Sequence, residues 1–99
     1  MNHWKDRGTD QLCEAFLSLN TREECYAFLE DVCTIKEILD LSQRLEVASM
    51  LKERKGYATI TKETGASTAT ISRVSKCLEY GAGGYRTVLE RMNEEQKDG

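Results

Sequence analysis

The segment from Tyr57 to Tyr80, YATITKETGASTATISRVSKCLEY, constrains the fold of this 99-residue chain more than any other. Its pattern predicts a short helix over about Ala58–Thr64, a tight turn at Gly65 and a second helix over about Thr68–Tyr80. Glycine suits the turn because it adopts a left-handed backbone without steric cost. Helix, turn and helix in this order, over residues 58–80, are typical of the helix-turn-helix, which places its second helix in the major groove of DNA.

The second helix of this segment carries small polar side chains at its start. Hydroxyl groups there can bond to base edges or phosphates, and the free N–H groups of the first turn form a phosphate-binding end. The predicted DNA-binding residues are Lys62, Gly65, Ala66, Ser67, Thr68, Ala69, Thr70, Ser72 and Lys76. Ile60, Ile71 and Val74 are expected to face inward. The alternative interpretation is an ordinary αα-hairpin, in which the serine and threonines only cap a helix.

The rest of the chain also predicts helices, which makes the fold class all-α with six helices. Proline is absent, and apolar residues recur at helical spacing. Thr21 and Thr34 each precede a glutamate by three residues, which predicts capping boxes. We expect one domain over residues 9–92, between flexible tails at 1–8 and 93–99. Of the other four helices, the first is expected over about Thr9–Leu19 and the second starts at Thr21. The third is expected from Thr34 to about Arg54, with Gly56 just beyond, and the last over about Tyr85–Met92.

Charge is distributed unevenly along the chain. The net charge of −3 is unusual for a DNA-binding protein. However, residues 9–43 carry eight acidic and two basic side chains, whereas residues 44–86 carry eight basic and four acidic ones. Phosphate contacts need local positive charge rather than a basic protein. The basic half holds the predicted helix-turn-helix, although an ordinary mixed surface would also fit this charge pattern.

Several classes of function find no support in the sequence. Cys13, Cys25, Cys33 and Cys77 form no C-x-x-C pair, and His3 is the single histidine, so we expect no metal and no cofactor. The cysteines are expected to be small buried hydrophobes in a reducing compartment, and the alternative is a structural disulfide or a redox switch. No nucleophile has a base beside it and no glycine-rich loop could hold phosphate, which argues against an enzyme. No apolar run or leader suggests a membrane, so a cytoplasmic location is predicted.

The run GASTATISR, from Gly65 to Arg73, resembles the turn and recognition helix of the Trp repressor superfamily. Thr34 opens the long helix and Arg44 follows ten residues later, which matches the spacing of that family. The run YRTVLERM also resembles the C-terminal helix of the family. In all, residues from Thr34 to about Met92 match in order, with one extra residue near Arg54, and the chain looks closest to the YerC/YecD group.

This resemblance implies an intertwined homodimer from which only the helix-turn-helix protrudes. The apolar stripes of the first three helices favour a dimer independently, because a chain of this length cannot easily bury them alone. In the Trp repressor two arginines enclose the indole of tryptophan, and Arg44 and Arg73 match them. The resemblance implies an effector site composed of Asp31, Cys33, Thr34, Arg44, Arg73, Val74 and Cys77.

Three positions depart from the tryptophan pocket of the family. Val74 replaces a glycine, Cys77 replaces a serine that helps bind the amino group, and Asp31 replaces a leucine. These changes argue against tryptophan as the effector. Either the pocket is filled and the protein needs no small molecule, or Asp31 favours an amino-acid-like effector with an additional cationic or N–H group.

The sequence therefore predicts a transcriptional regulator of the repressor type that binds a palindromic DNA site as a dimer. The alternative is a dimeric helical module that kept the fold but binds another protein. The acidic N-terminal half and the thin basic surface favour this alternative modestly.

Overall fold

The computed structural model describes residues 3–98 and folds them into six α-helices. The helices are α1 Arg7–Leu17, α2 Arg22–Val32, α3 Ile35–Lys52, α4 Tyr57–Thr64, α5 Thr68–Tyr80 and α6 Gly84–Asp98. No strand occurs within the described residues, and the predicted all-α fold class is confirmed. Met1, Asn2 and Gly99, which belong to the predicted tails, lie outside the described residues.

The bounds of the first and last helices differ from those predicted. α1 begins at Arg7, inside the segment expected to be a tail, because Asp6 and Thr9 form a capping box. The Asp6 carboxylate accepts from the Thr9 N–H (2.9 Å), and the Thr9 hydroxyl oxygen accepts from the Asp6 N–H (2.7 Å). α6 continues to Asp98 rather than ending near Met92. Glutamate, glutamine and lysine dominate this extension, and all three favour helix.

Capping side chains start α2 and α3 close to where the sequence predicts. The capping box of α3 is confirmed, since the Glu37 N–H donates to the Thr34 hydroxyl (3.1 Å) and the Thr34 N–H donates to the Glu37 carboxylate (2.8 Å). At α2 the Glu24 N–H donates to the Thr21 hydroxyl (3.1 Å). The Glu24 carboxylate, however, accepts from the N–H of Asn20 rather than of Thr21 (2.8 Å), so only half of that predicted box forms.

The chain divides into two compact units, residues 1–38 and 39–99, and α3 runs through the division. In the first unit, the rings of Phe16 and Phe28 join α1 and α2, edge to face, with centroids 5.2 Å apart. Neither helix has a buried residue. Large apolar side chains are accordingly exposed, with Leu17 at 77%, Tyr26 at 63% and Ile35 at 63%.

The second unit contains the buried core. The core side chains come from α3, α4, the turn after it, α5 and α6; they are Val47, Ala48, Met50, Ile60, Ala66, Ile71, Val74 and Leu89. The predicted inward positions Ile60, Ile71 and Val74 are therefore buried. This core fixes α4 and α5 against the second half of α3.

α3 ends close to the predicted stop, the run Arg54-Lys55-Gly56, but Gly56 is not the residue that turns the chain. The residue with a left-handed backbone is Arg54, with φ 64°, whereas Gly56 has φ −74° and precedes α4. The Arg54 N–H donates to the Leu51 carbonyl (2.9 Å) and the Lys55 N–H to the Met50 carbonyl (3.0 Å). These two bonds form a Schellman motif, in which glycine is the usual left-handed residue. α3 thus ends in a glycine-type turn built around an arginine.

The prediction that the cysteines are buried is wrong for this chain. Cys13, Cys25 and Cys77 are exposed, and Cys33 is half-buried. The helical stripes in which the first two lie belong to α1 and α2, which bury nothing within the chain. Cys77 lies on the outer side of α5, one position before the half-buried Leu78. Within residues 3–98, no helix is long and apolar enough to cross a membrane.

Candidate nucleic-acid interface

The turn between α4 and α5 depends on Gly65. Its φ of 76° lies in the left-handed region that favours glycine, and its N–H donates to the Thr61 carbonyl (2.9 Å), which closes α4. Ser67 then starts α5 with an extended backbone (φ −70°, ψ 159°) and accepts from the Thr70 N–H (3.1 Å). The short helix, left-handed glycine and capped second helix have the local geometry of a helix-turn-helix.

The two sides of α5 differ sharply. Ile71 and Val74 are buried, and Leu78 is half-buried, which assigns one side of the helix to the core. The opposite side, which we call the recognition face, is exposed except for the half-buried Ser72. It consists of Thr68, Ala69, Ser72, Arg73 and Lys76. Small side chains near the helix start allow close approach to base edges, and Arg73 and Lys76 follow about one and two turns later.

Other predicted DNA-binding residues serve the turn itself. The Ala66 side chain is 1% exposed and belongs to the core, so it is not available to a ligand. The Ser67 hydroxyl accepts from the Thr70 N–H and donates to the Thr70 hydroxyl (3.1 Å), so it acts as a helix cap. Thr70 is half-buried beside it. Gly65 is exposed, but its N–H is engaged by the Thr61 carbonyl, so it shapes the turn rather than offering a donor to a phosphate.

Three cations near the turn are exposed. Lys62 on α4 and Arg73 and Lys76 on α5 are exposed, and none of them forms an ion pair within the described part of the chain. Lys55 behaves differently, because its ammonium lies 3.6 Å from the Glu53 carboxylate and 3.8 Å from that of Glu63. The unpaired cations are the ones that can contact phosphates without first breaking an internal pair.

A hydrogen bond that the sequence did not predict stabilises the turn between α4 and α5. The side-chain amide of Gln43, on α3, donates to the main-chain carbonyl of Thr64 (3.1 Å). The Thr64 hydroxyl donates to the Ile60 carbonyl (2.7 Å) and accepts from the Ala66 N–H (3.1 Å). No local pattern around Gln43 indicated this bond, because its acceptor lies 21 positions further along the chain.

The predicted effector residues are divided between the two units. Arg44 on α3 is half-buried, and its Nε donates to the Asp40 carbonyl (3.3 Å), whereas Arg73 and Cys77 are exposed one turn apart on α5. Val74 is 1% exposed in the core rather than open to a ligand. The remaining three, in residues 1–38, are Asp31, Cys33 and Thr34.

Those three residues cluster around the junction of α2 and α3. Asp31 is exposed near the end of α2, Cys33 is its half-buried C-cap, and the Thr34 hydroxyl is engaged as the cap of α3. No group of three or more histidine, cysteine, aspartate or glutamate side chains among the described residues could hold a metal ion.

Fold and site together define an all-helical helix-turn-helix protein whose second helix presents small hydroxyls and unpaired cations. The model of the Trp repressor protein family matches residues 7–93, which is most of the chain. The chain therefore belongs to the Trp repressor family.

Proteins from three bacteria are similar to this chain, one of them in sequence and two in both sequence and fold. YerC of Bacillus subtilis (strain 168), an uncharacterized protein, is 55% identical over 89 residues, which is 90% of this chain and 86% of that protein. The solved structure of a TrpR-like protein from Eubacterium eligens ATCC 27750 matches with a TM-score of 0.90 and 55% identity, over 94% of this chain and 96% of the other. A candidate Trp repressor from Staphylococcus aureus matches with a TM-score of 0.88 and 52% identity, over 91% and 90%.

Proposed function

We propose that this protein is a sequence-specific transcriptional regulator that binds a two-fold symmetric operator as a homodimer and represses by blocking a promoter. The observation that carries the proposal is the recognition face of α5. Core packing holds the other side of this helix, so the exposed side is free to enter a major groove. Membership of the Trp repressor family, a family of DNA-binding regulators, supports the same function.

The exposed apolar surface of α1 and α2 supports the homodimer. Two amphipathic helices without a single buried residue leave side chains such as Leu12, Phe16 and Leu17 in water. A second copy that covers this surface would remove the cost of exposing it. A two-fold dimer would also present two recognition helices at successive major grooves, about 34 Å apart.

Selection of genomic DNA fragments by the purified protein at near-physiological salt tests the proposal. We expect enrichment of a two-fold symmetric sequence. Thr68→Asp should abolish enrichment, because a carboxylate on the recognition face repels phosphate. It should not unfold α5, since acidic residues in a first turn favour the helix dipole. Thr87→Asp in the first turn of α6 is the matched control and should bind as the wild type does.

The proposed function also includes control by a small effector. We propose that any effector is amino-acid-like and is not tryptophan. Val74 is part of the core where the family has a glycine, and a Cys77 thiol is a weaker hydrogen-bond partner than the family's serine. The Asp31 carboxylate would favour an additional cationic or N–H group.

The effector is tested by repeating the selection with a pool of amino acids. Asp31→Leu should abolish any difference between the two conditions and leave DNA binding intact. A response that survives in Asp31→Leu would exclude Asp31 from the effector site. The absence of a response in the wild type would favour a filled pocket and a repressor that needs no small molecule.

A protein-interaction module is the competing function. The observation that favours it is the acidic N-terminal half, with its eight acidic and two basic side chains in residues 9–43. A folded dimer that enriches no DNA sequence in either condition would move the assignment to this function.

A further inference from the structure

A glutamine of the long helix is bonded to the turn of the helix-turn-helix. Gln43 Nε2 donates to the Thr64 carbonyl at 3.1 Å, across 21 positions of sequence, and both residues are half-buried. The Thr64 carbonyl is among the last four of α4, which have no partner within the helix. The neighbouring donors are already occupied, since the Gly65 N–H donates to Thr61 and the Ala66 N–H to the Thr64 hydroxyl. Gln43 therefore supplies the donor that this carbonyl needs.

The peptide that Gln43 holds is the one that turns the chain. It joins Thr64 to Gly65, and a glycine has no Cβ to restrict rotation about its own backbone. A small rotation there would swing α5 as a whole, because every residue after the turn follows it. A bond from α3 to the Thr64 carbonyl opposes that rotation from outside the turn.

We infer that Gln43 is a positioning residue that sets the direction in which the recognition helix leaves the turn, an inference that rests on the proposed DNA-binding function. Gln43 does not contact DNA itself but acts through its hydrogen bond to the Thr64 carbonyl. Removing its donor should leave the phosphate contacts in place but loosen the fit to base edges. Specific affinity should therefore fall while the salt dependence of binding stays the same.

The test compares Gln43→Met, which keeps the side-chain length but cannot donate, with Gln11→Met on α1 as the matched control. Gln43→Asn is a second variant whose amide is too short to reach. Amide hydrogen exchange at Gly65 and Ala66 is measured in the free protein. Affinity is measured for a selected genomic fragment and for a random fragment, each over a range of salt concentrations.

We expect both Gln43 variants to speed exchange at these two amides by about fivefold, the equivalent of one net hydrogen bond. Specific affinity should fall by about fivefold or more with an unchanged salt slope, and binding to random DNA should be unaffected. Exchange at the wild-type rate, or unchanged specific affinity despite faster exchange, would overturn the inference. If the wild type selects no sequence, the proposed function fails, and the exchange rates alone decide whether Gln43 holds the turn.

Discussion

Arg54 is the residue whose backbone is least suited to its side chain. It is the single residue other than glycine with positive φ among those described, and a left-handed conformation costs an L-residue about 1–2 kcal/mol. Arg54→Gly removes this strain. Glycine also gives the unfolded chain more conformational freedom, which lowers the gain in stability by about 0.5–1 kcal/mol. We expect a net gain of about 0.5–1 kcal/mol in the free energy of unfolding, measured by urea denaturation.

Arg54→Ala separates relief of strain from loss of the guanidinium. Alanine removes the same charge but keeps a Cβ, so the left-handed strain remains. We expect this variant to be no more stable than the wild type. Equal stability of the glycine and alanine variants would contradict the assignment of strain to this backbone position.

At the scale of the elements, Gly65 decides whether α4 and α5 can form their turn. A Cβ there would meet no atom within 4 Å, so the cost of Gly65→Ala comes from φ alone. We expect this substitution to lower the free energy of unfolding by about 1 kcal/mol. The weakened turn should also lower the specific DNA affinity proposed for the recognition face. Thermal denaturation and binding to the selected fragment measure the two effects.

Gly84→Ala is the matched control for that prediction. Gly84 also has open space around its Cβ position, but it lies at the start of α6 and lacks a positive φ. The same substitution should therefore be neutral or slightly stabilising there. A similar loss at both positions would mean that the cost does not come from the left-handed backbone.

The elements also show what local pattern can and cannot predict. Local signals suffice for α5, because its cap, its inward apolar positions and the preceding glycine all lie within one segment, and its bounds agree with the prediction. They are less precise at the end of α3, where the run Arg54-Lys55-Gly56 predicts the stop but does not reveal that Arg54, rather than Gly56, takes the left-handed backbone. The Gln43–Thr64 hydrogen bond likewise could not be predicted from the sequence, because its two partners meet only after α4 packs on the core.

At the scale of the whole molecule, burial is unequal along the chain. Among the residues that the structure describes, every buried one belongs to residues 39–99, whereas α1 and α2 expose their apolar sides. The cysteine prediction failed for this reason at Cys13 and Cys25, since a correct helical stripe does not reveal whether the same chain covers it. Cys77 is exposed for a different reason, because it lies on the outer side of α5. The apolar stripes of α1 and α2 therefore lead to a prediction about association rather than about internal packing.

We expect the protein to be a dimer whose midpoint of thermal unfolding rises with protein concentration, because association stabilises by mass action. Leu12→Lys tests whether the exposed stripe of α1 forms the contact. Leu12 is 42% exposed in the single chain, so a lysine there costs the monomer little but would place a charge in a covered interface. Gln11→Lys, at an exposed neighbour on the same helix, adds the same charge and serves as the control. Sedimentation should show weakened association for Leu12→Lys alone; equal association of both variants would show that the α1 stripe is not where two copies meet.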